Sequence, residues 1–115
     1  VWEIESTDEF DEWFYALNEV AQIEIAAKIE LLRQYGPALS RPHADTLKGS
    51  KFANMKELRG KTASAVLRIA FAFDPKRHAI LLAGGNKAGV NEKRFYRQLI
   101  RVADPLFKKH LSRGE

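Results

Sequence analysis

The stretch NMKELRGKTASAVLRIAF, residues 54–71, places Arg59 and Arg68 in the most strand-like part of the chain, with Glu57 just ahead of the first arginine. Side chains alternate along a strand, so Met55, Glu57 and Arg59 share one face of the first segment. In the second, Val66, Arg68, Ala70 and Ala72 lie opposite Leu67, Ile69, Phe71 and Phe73. With GKTAS as the turn of an antiparallel pair, both guanidinium groups can fall on one face within a few ångströms. An open sheet face with paired cations can accept an extended RNA strand if other groups move the protons. The bland alternative is a solvated cross-strand ion pair with Glu57 that contributes little. Lys87 follows AGGN and is projected from the sheet edge. Tyr96, early in the last helical segment, either reaches back to the sheet or closes the edge of the core. Asp45 stands with His43 in a long loop. His43, His78 and His110 are too dispersed to suggest a metal site, and the Gly-Gly-x-Lys run lacks the spacing of a nucleotide-binding loop, so no cofactor is expected.

The elements that must position these groups follow from period and caps. VWEIE alternates and suits a first strand. Ser6 with Glu9 forms a capping-box pattern and predicts a helix from near Thr7, with Phe10, Trp13, Phe14 and Leu17 turned to the core. Asn18 caps a second helix that ends at YGP. Its Val20, Ile23, Ala27 and Leu31, joined by Ile25, Ile29 and Leu32, are expected to form a broad buried face. Residues 37–54 hold two prolines and one glycine without sustained period and read as a long loop. Three strands follow: one from Met55, one over residues 66–73 and one at HAILLAGG. The last helix runs from about Asn91 with Phe95, Leu99 and Val102 inward, and Asp104-Pro105 predicts a kink or a fresh start. The expected fold is α+β, with a small, mostly antiparallel four-stranded sheet packed against helices in the order β-α-α-β-β-β-α. One sheet face is left partly open. No repeat or linker divides residues 1–115, so one domain is expected.

Charge is distributed unevenly. Residues 1–35 carry two Lys/Arg against nine Asp/Glu, and residues 36–115 carry seventeen against six. The basic portion creates a field that can attract polyanions, nucleic acid first among them; on charge alone, a solvated basic surface is the alternative reading. There are no cysteines, no apolar run approaches a membrane span, and the opening VWEIESTDEFDEW is the opposite of a secretory n-region; a cytoplasmic location is expected.

Three strings, RPHADTLKGSKFANMKELR, VLRIAFAFDPKRHAILLAGGNKAG and RFYRQLIRVADPLF, follow the acidic helical hairpin in this order. Together they resemble the type II toxins of the RelE/ParE superfamily, in its HigB-like, phage-derived branch. That resemblance implies a RelE-like fold and a metal-independent endoribonuclease that cuts mRNA in the ribosomal A site through the RNA's own 2′-OH. It also implies a HigA-like antitoxin with a helix-turn-helix domain as partner. Residue by residue, Arg59 matches the basic residue ending the second strand, Arg68 the third-strand arginine, Lys87 the basic residue after the fourth strand and Tyr96 the C-terminal tyrosine. Asp45 falls where one branch has a carboxylate base. On this reading Arg59 and Arg68 hold the phosphate, Glu57 or Asp45 is the base, Lys87 or Tyr96 assists the leaving group, and Lys48, Lys51, Lys56 and Arg94 contact RNA. RelE carries lysines along the second strand where this sequence has Met55 and Glu57, with Lys56 on the other face. The same fold also serves ParE-type toxins, which bind DNA gyrase without catalysis.

Overall fold

In the computed structural model, which describes residues 1–113, the elements are β1 (Glu3–Ser6), α1 (Asp8–Tyr15), α2 (Glu19–Tyr35), β2 (Ala44–Thr46), β3 (Lys56–Lys61), β4 (Val66–Phe73), β5 (His78–Asn86) and α3 (Glu92–Arg113). They build an α+β fold around a five-stranded sheet of order β1-β5-β4-β3-β2. β1 runs parallel to β5, and the other neighbours are antiparallel. The strand beyond the expected four is β2, inside the segment read as loop. Its three residues are too few to display a period, and it exists through pairing with β3. The last two residues of the expected domain lie outside the described residues.

Local chemistry explains the helix starts. Ser6 is spent as the last residue of β1, opposite Leu81, so the cap of α1 falls one residue later than the Ser6–Glu9 pattern suggests. Thr7 Oγ1 accepts the Phe10 N–H at 3.0 Å. Asn18 caps α2 as expected, its Oδ1 accepting the Ala21 N–H at 2.9 Å. Asn91 does the same for α3, accepting the Arg94 N–H at 3.0 Å. Helix α3 continues through Pro105 without a restart. Asp104 therefore does not cap a new helix. It is buried and accepts Ser50 Oγ at 2.6 Å and the Lys51 N–H at 2.9 Å, which ties the β2–β3 loop to α3.

Two clusters sandwich the sheet. On one face α1 and α2 pack Phe10, Ile25 and Leu32 against Leu58, Leu67, Ile69 and Phe71. On the other, α3 packs Leu99, Ala103 and Phe107 against Met55, Ala70, Ala72, Ile80 and Leu82. The second face is thus covered by α3 except at the end carrying Glu57, Arg59 and Arg68. Val102, expected inward, stands 36% exposed, because Leu99, Ala103 and Phe107 form the stripe that meets the sheet. The expected broad face of α2 is buried at Ile25 and Leu32, with Ile29 and Leu31 packed beside them, but not at Val20, Ile23 and Ala27. Ala21, Ile25 and Leu32 face the sheet, whereas Val20 and Ile23 are 65% and 63% exposed.

At the far end of the sheet, Asp74 closes the β4–β5 turn. Its Oδ1 accepts the N–H groups of Lys76 and His78, and its Oδ2 lies 2.9 Å from His110 Nε2 on α3. Burial raises its pKa, but the His110 hydrogen bond and the two backbone N–H groups outweigh burial and hold it below the ordinary 3.8. A depressed carboxyl pKa stabilises the fold above the unfolded value, and that stability is lost as pH falls through the folded one. The urea midpoint is therefore expected to fall as pH drops below 3.8, and the fall is expected to be shallower in Asp74→Asn. Parallel pH profiles for the two proteins would contradict this role.

Candidate functional site

Strand pairing places Arg59 directly opposite Arg68, and Glu57 opposite both Asp45 on β2 and Ala70 on β4. Two like charges facing each other across a sheet repel. Glu57 acts as the wedge between them. Its Oε2 accepts Arg59 Nε at 3.1 Å and Nη2 at 2.9 Å, and its Oε1 lies 3.6 Å from Arg68 Nε. Glu57 is 3% exposed, and its Oε1 has no hydrogen-bond partner of good geometry among the described residues. Arg59 also reaches Asp45 Oδ2 at 3.3 Å, where Arg41 Nε donates at 2.8 Å. The small Ala70 beside Glu57 leaves height above the sheet for the first turns of α3. From there the Tyr96 hydroxyl accepts Arg68 Nε at 3.2 Å.

Lys87 follows β5, where Asn86 Oδ1 accepts the N–H groups of Val66 and Ala88 and fixes the loop. Lys87 Nζ pairs with Glu92 at 2.6 Å and sits 5.3 Å from the Tyr96 ring centroid, within cation–π range. The glycines ahead of it do not form a loop. Both lie in β5, where a Cβ on Gly84 would strike the Trp13 ring, and one on Gly85 would come 2.8 Å from Phe95 Cε1 on the other face.

These groups surround an open cleft of about 640 Å³ between the β2–β3 edge and the N-terminal half of α3. Asp45, Lys48, Glu57, Arg59, Lys87 and Tyr96 all line it. Arg68 does not: its side chain is 12% exposed, lies beneath the cleft and donates from Nη1 to the Leu67 carbonyl at 2.9 Å. Lys51, Lys56 and Arg94 are not among the lining residues. Sequence reasoning missed Arg41, Lys93 and Arg97, which do line the cleft. A signal for two of them was present, because Lys93, Tyr96, Arg97 and Ile100 recur at i, i+3, i+4 and i+7 and must share a helix face.

The electrostatics favour an anion. Six cationic side chains line the cleft against three carboxylates. The hydrogen bond from Arg41, followed by that from the Thr46 N–H, holds the Asp45 carboxyl below its usual value. The hydrogen bond from Lys87 lowers that of Glu92. Burial, then the adjoining Glu57 carboxylate, pushes the Tyr96 phenol above its ordinary 10.0, so it keeps its proton at neutral pH. Such a site can bind a phosphodiester, stabilise added negative charge and deliver a proton from a phenol or an ammonium. Among the described residues no group of three or more His, Asp or Glu is placed to hold a metal ion, and no helix is long and apolar enough to cross a membrane.

Comparison with known proteins agrees with this architecture. The model of the family described as phage derived protein Gp49-like matches residues 12–108. A Mycobacterium tuberculosis (strain ATCC 25618 / H37Rv) protein named "Putative toxin HigB3" is 51% identical over 94 residues, covering 82% of this chain and 80% of that protein. HigB2 of the same strain, which carries the same designation, is 45% identical over 104 residues, or 90% of this chain. The aligned part is about half, 51%, of HigB2's own length. Among solved structures, an arginine-to-alanine mutant of the Escherichia coli toxin RelE in the free state superposes with a TM-score of 0.60 at 10% identity, covering 87% of this chain and 94% of that one. A chain of the archaeal RelE–RelB complex from Pyrococcus horikoshii OT3 gives 0.57 at 11% identity, with 77% and 98% coverage. The structural likenesses speak to the fold and the sequence matches to the family: the chain belongs to the phage-derived, Gp49-like family of HigB-type toxins.

Proposed function

We propose that this chain is the toxin of a type II toxin–antitoxin pair and acts in the cytoplasm as a ribosome-dependent mRNA endoribonuclease, neutralised by an antitoxin with a helix-turn-helix domain. The observation that carries the reading is the Arg59–Glu57–Arg68 wedge beneath a cationic cleft that Tyr96 and Lys87 close from the other side. A pair held merely for stability would not require a buried carboxylate, a phenol and five further cations around one cleft.

In this scheme Arg59 and Arg41 grip the scissile phosphate, and charge stabilisation comes from arginine and lysine side chains. The RNA 2′-oxygen attacks phosphorus as it gives its proton to Asp45. The P–O5′ bond breaks, and the leaving oxygen takes a proton from Tyr96 or Lys87. Asp45, with a side chain 26% exposed, is the carboxylate within reach of a 2′-OH, whereas Glu57 is enclosed and serves to hold the two arginines. The lowered pKa of Asp45 makes it a weak base, so positioning and charge stabilisation contribute most of the rate.

The test is product chemistry. Incubation with mRNA and ribosomes is expected to yield fragments ending in a 2′,3′-cyclic phosphate and beginning with a 5′-hydroxyl, with far less cleavage when ribosomes are omitted. Intact mRNA together with inhibited gyrase supercoiling would replace this reading by the ParE-type one.

A further inference from the structure

Helix α2 carries two apolar stripes, and the fold consumes only one. Ala21, Ile25 and Leu32 are buried against the sheet. Val20, Ile23 and Ala27 recur at i, i+3 and i+7 on the side turned away from it; Val20 and Ile23 are 65% and 63% exposed, and Ala26 and Ala27 are exposed beside them. The patch continues onto α1. Gln22 Nε2 donates to the Phe14, Tyr15 and Leu17 carbonyls, which holds the end of α1 beside the first turns of α2, and Tyr15 there is 75% exposed. Scattered exposed apolar residues are ordinary, but a helical stripe joined by a tyrosine from the adjoining helix is the shape that a partner helix fits.

Charge identifies the partner's chemistry. Glu12 and Glu19 are exposed around the patch. The two cations of residues 1–35 are both engaged, Arg33 with Glu30 at 2.7 Å and Lys28 with His43 Nδ1 at 2.8 Å. A surface that is apolar at its centre and acidic at its rim matches an amphipathic helix with an apolar stripe and basic flanks. It repels nucleic acid, and it lies across the sheet from the cleft.

We propose that the outer face of α1 and α2, centred on Val20, Ile23 and Tyr15, docks a cationic amphipathic helix supplied by the antitoxin. The proposed function enters only as the source of that helix. The surface itself is tested with a labelled synthetic peptide of about four helical turns, with leucine at i, i+3, i+4 and i+7 and lysine elsewhere, titrated onto the full chain by fluorescence anisotropy. It is expected to bind at least about tenfold more tightly than a scrambled peptide of identical composition, and a version with glutamate for lysine is expected not to bind. Val20→Ser with Ile23→Ser is expected to abolish the preference for the spaced peptide, while melting and mRNA cleavage match the parent. Equal binding of spaced and scrambled peptides, or unchanged binding by the double variant, would overturn the proposal. So would a parent dimer in light scattering that the double variant dissolves, because the face would then belong to a second copy. Absence of cleavage in the ribosome assay bears on the proposed function alone, since Val20 and Ile23 lie outside the cleft.

Discussion

Arg59→Ala is expected to slow mRNA cleavage on ribosomes by about 10²- to 10³-fold, the usual loss when a donor aimed at transition-state charge is removed. Arg59 is the node of the site: it bonds Glu57 through two nitrogens, reaches Asp45 and lines the cleft. Its loss removes the proposed phosphate ligand and leaves the buried Glu57 facing Arg68 alone at 3.6 Å. The fold is expected to lose about 1–3 kcal/mol for that weakened partner, which a domain with roughly 5–15 kcal/mol in reserve survives. Glu57→Gln separates the two roles considered for the carboxylate. A glutamine keeps the shape and can still accept from Arg59, so a positioning role predicts a loss of about tenfold or less and an unchanged pH–rate profile. A base would lose about 10²- to 10⁴-fold together with its acid limb. Cleavage by Arg59→Ala within about threefold of the parent, at matched melting behaviour, would remove Arg59 from the chemistry.

How far the sequence discloses such a site depends on whether its signal is local. The period of two over residues 66–73 is local, and it correctly separates Arg68 from Leu67, Ile69 and Phe71. The pairing of Arg59 with Arg68 also follows from the hairpin, once the turn is fixed. Which stripe of α2 meets the sheet is not local. Val20, Ile23 and Ala27 are uniformly apolar and by sequence join the buried Ile25 and Leu32 in one broad face, whereas the stripe that meets the sheet, through Ala21, Ile25 and Leu32, includes Lys28 and looks inferior. Lys28 is tolerated there because its ammonium reaches His43 at the edge of the core. Coverage of the second sheet face was equally hidden, because α3 shows it as a mixed stripe, with Leu99, Ala103 and Phe107 for the sheet and Lys93, Tyr96 and Arg97 for the cleft. The resemblance marks Asp45 as a candidate but could not show that Arg41 would hold it.

Gly84 and Gly85 carry the second large effect, and they separate stability from chemistry. Gly84→Ala is expected to destabilise the chain by about 3 kcal/mol, the upper end of ordinary overpacking costs. Its methyl group would enter the six-membered ring of Trp13, and that ring is backed by Phe10 at 5.8 Å between centroids, so it cannot yield without moving α1 off the sheet. Because α1 lies on the face away from the cleft, cleavage per folded molecule is expected to stay at the parent's level. Gly85→Ala presses instead on the far edge of Phe95, at 2.8 Å and 3.1 Å, where a tilt of the ring absorbs part of the strain. Phe95 stands edge-on to Tyr96 with centroids 5.3 Å apart, so the tilt passes to the hydroxyl that accepts from Arg68. The expected signature is a crossing of effects: the larger fall in urea midpoint for Gly84→Ala and the larger fall in cleavage rate for Gly85→Ala. Parallel losses in both measurements would mean that Phe95 does not set the position of Tyr96. The Gly-Gly pair would then act only as backbone clearance for two aromatic rings.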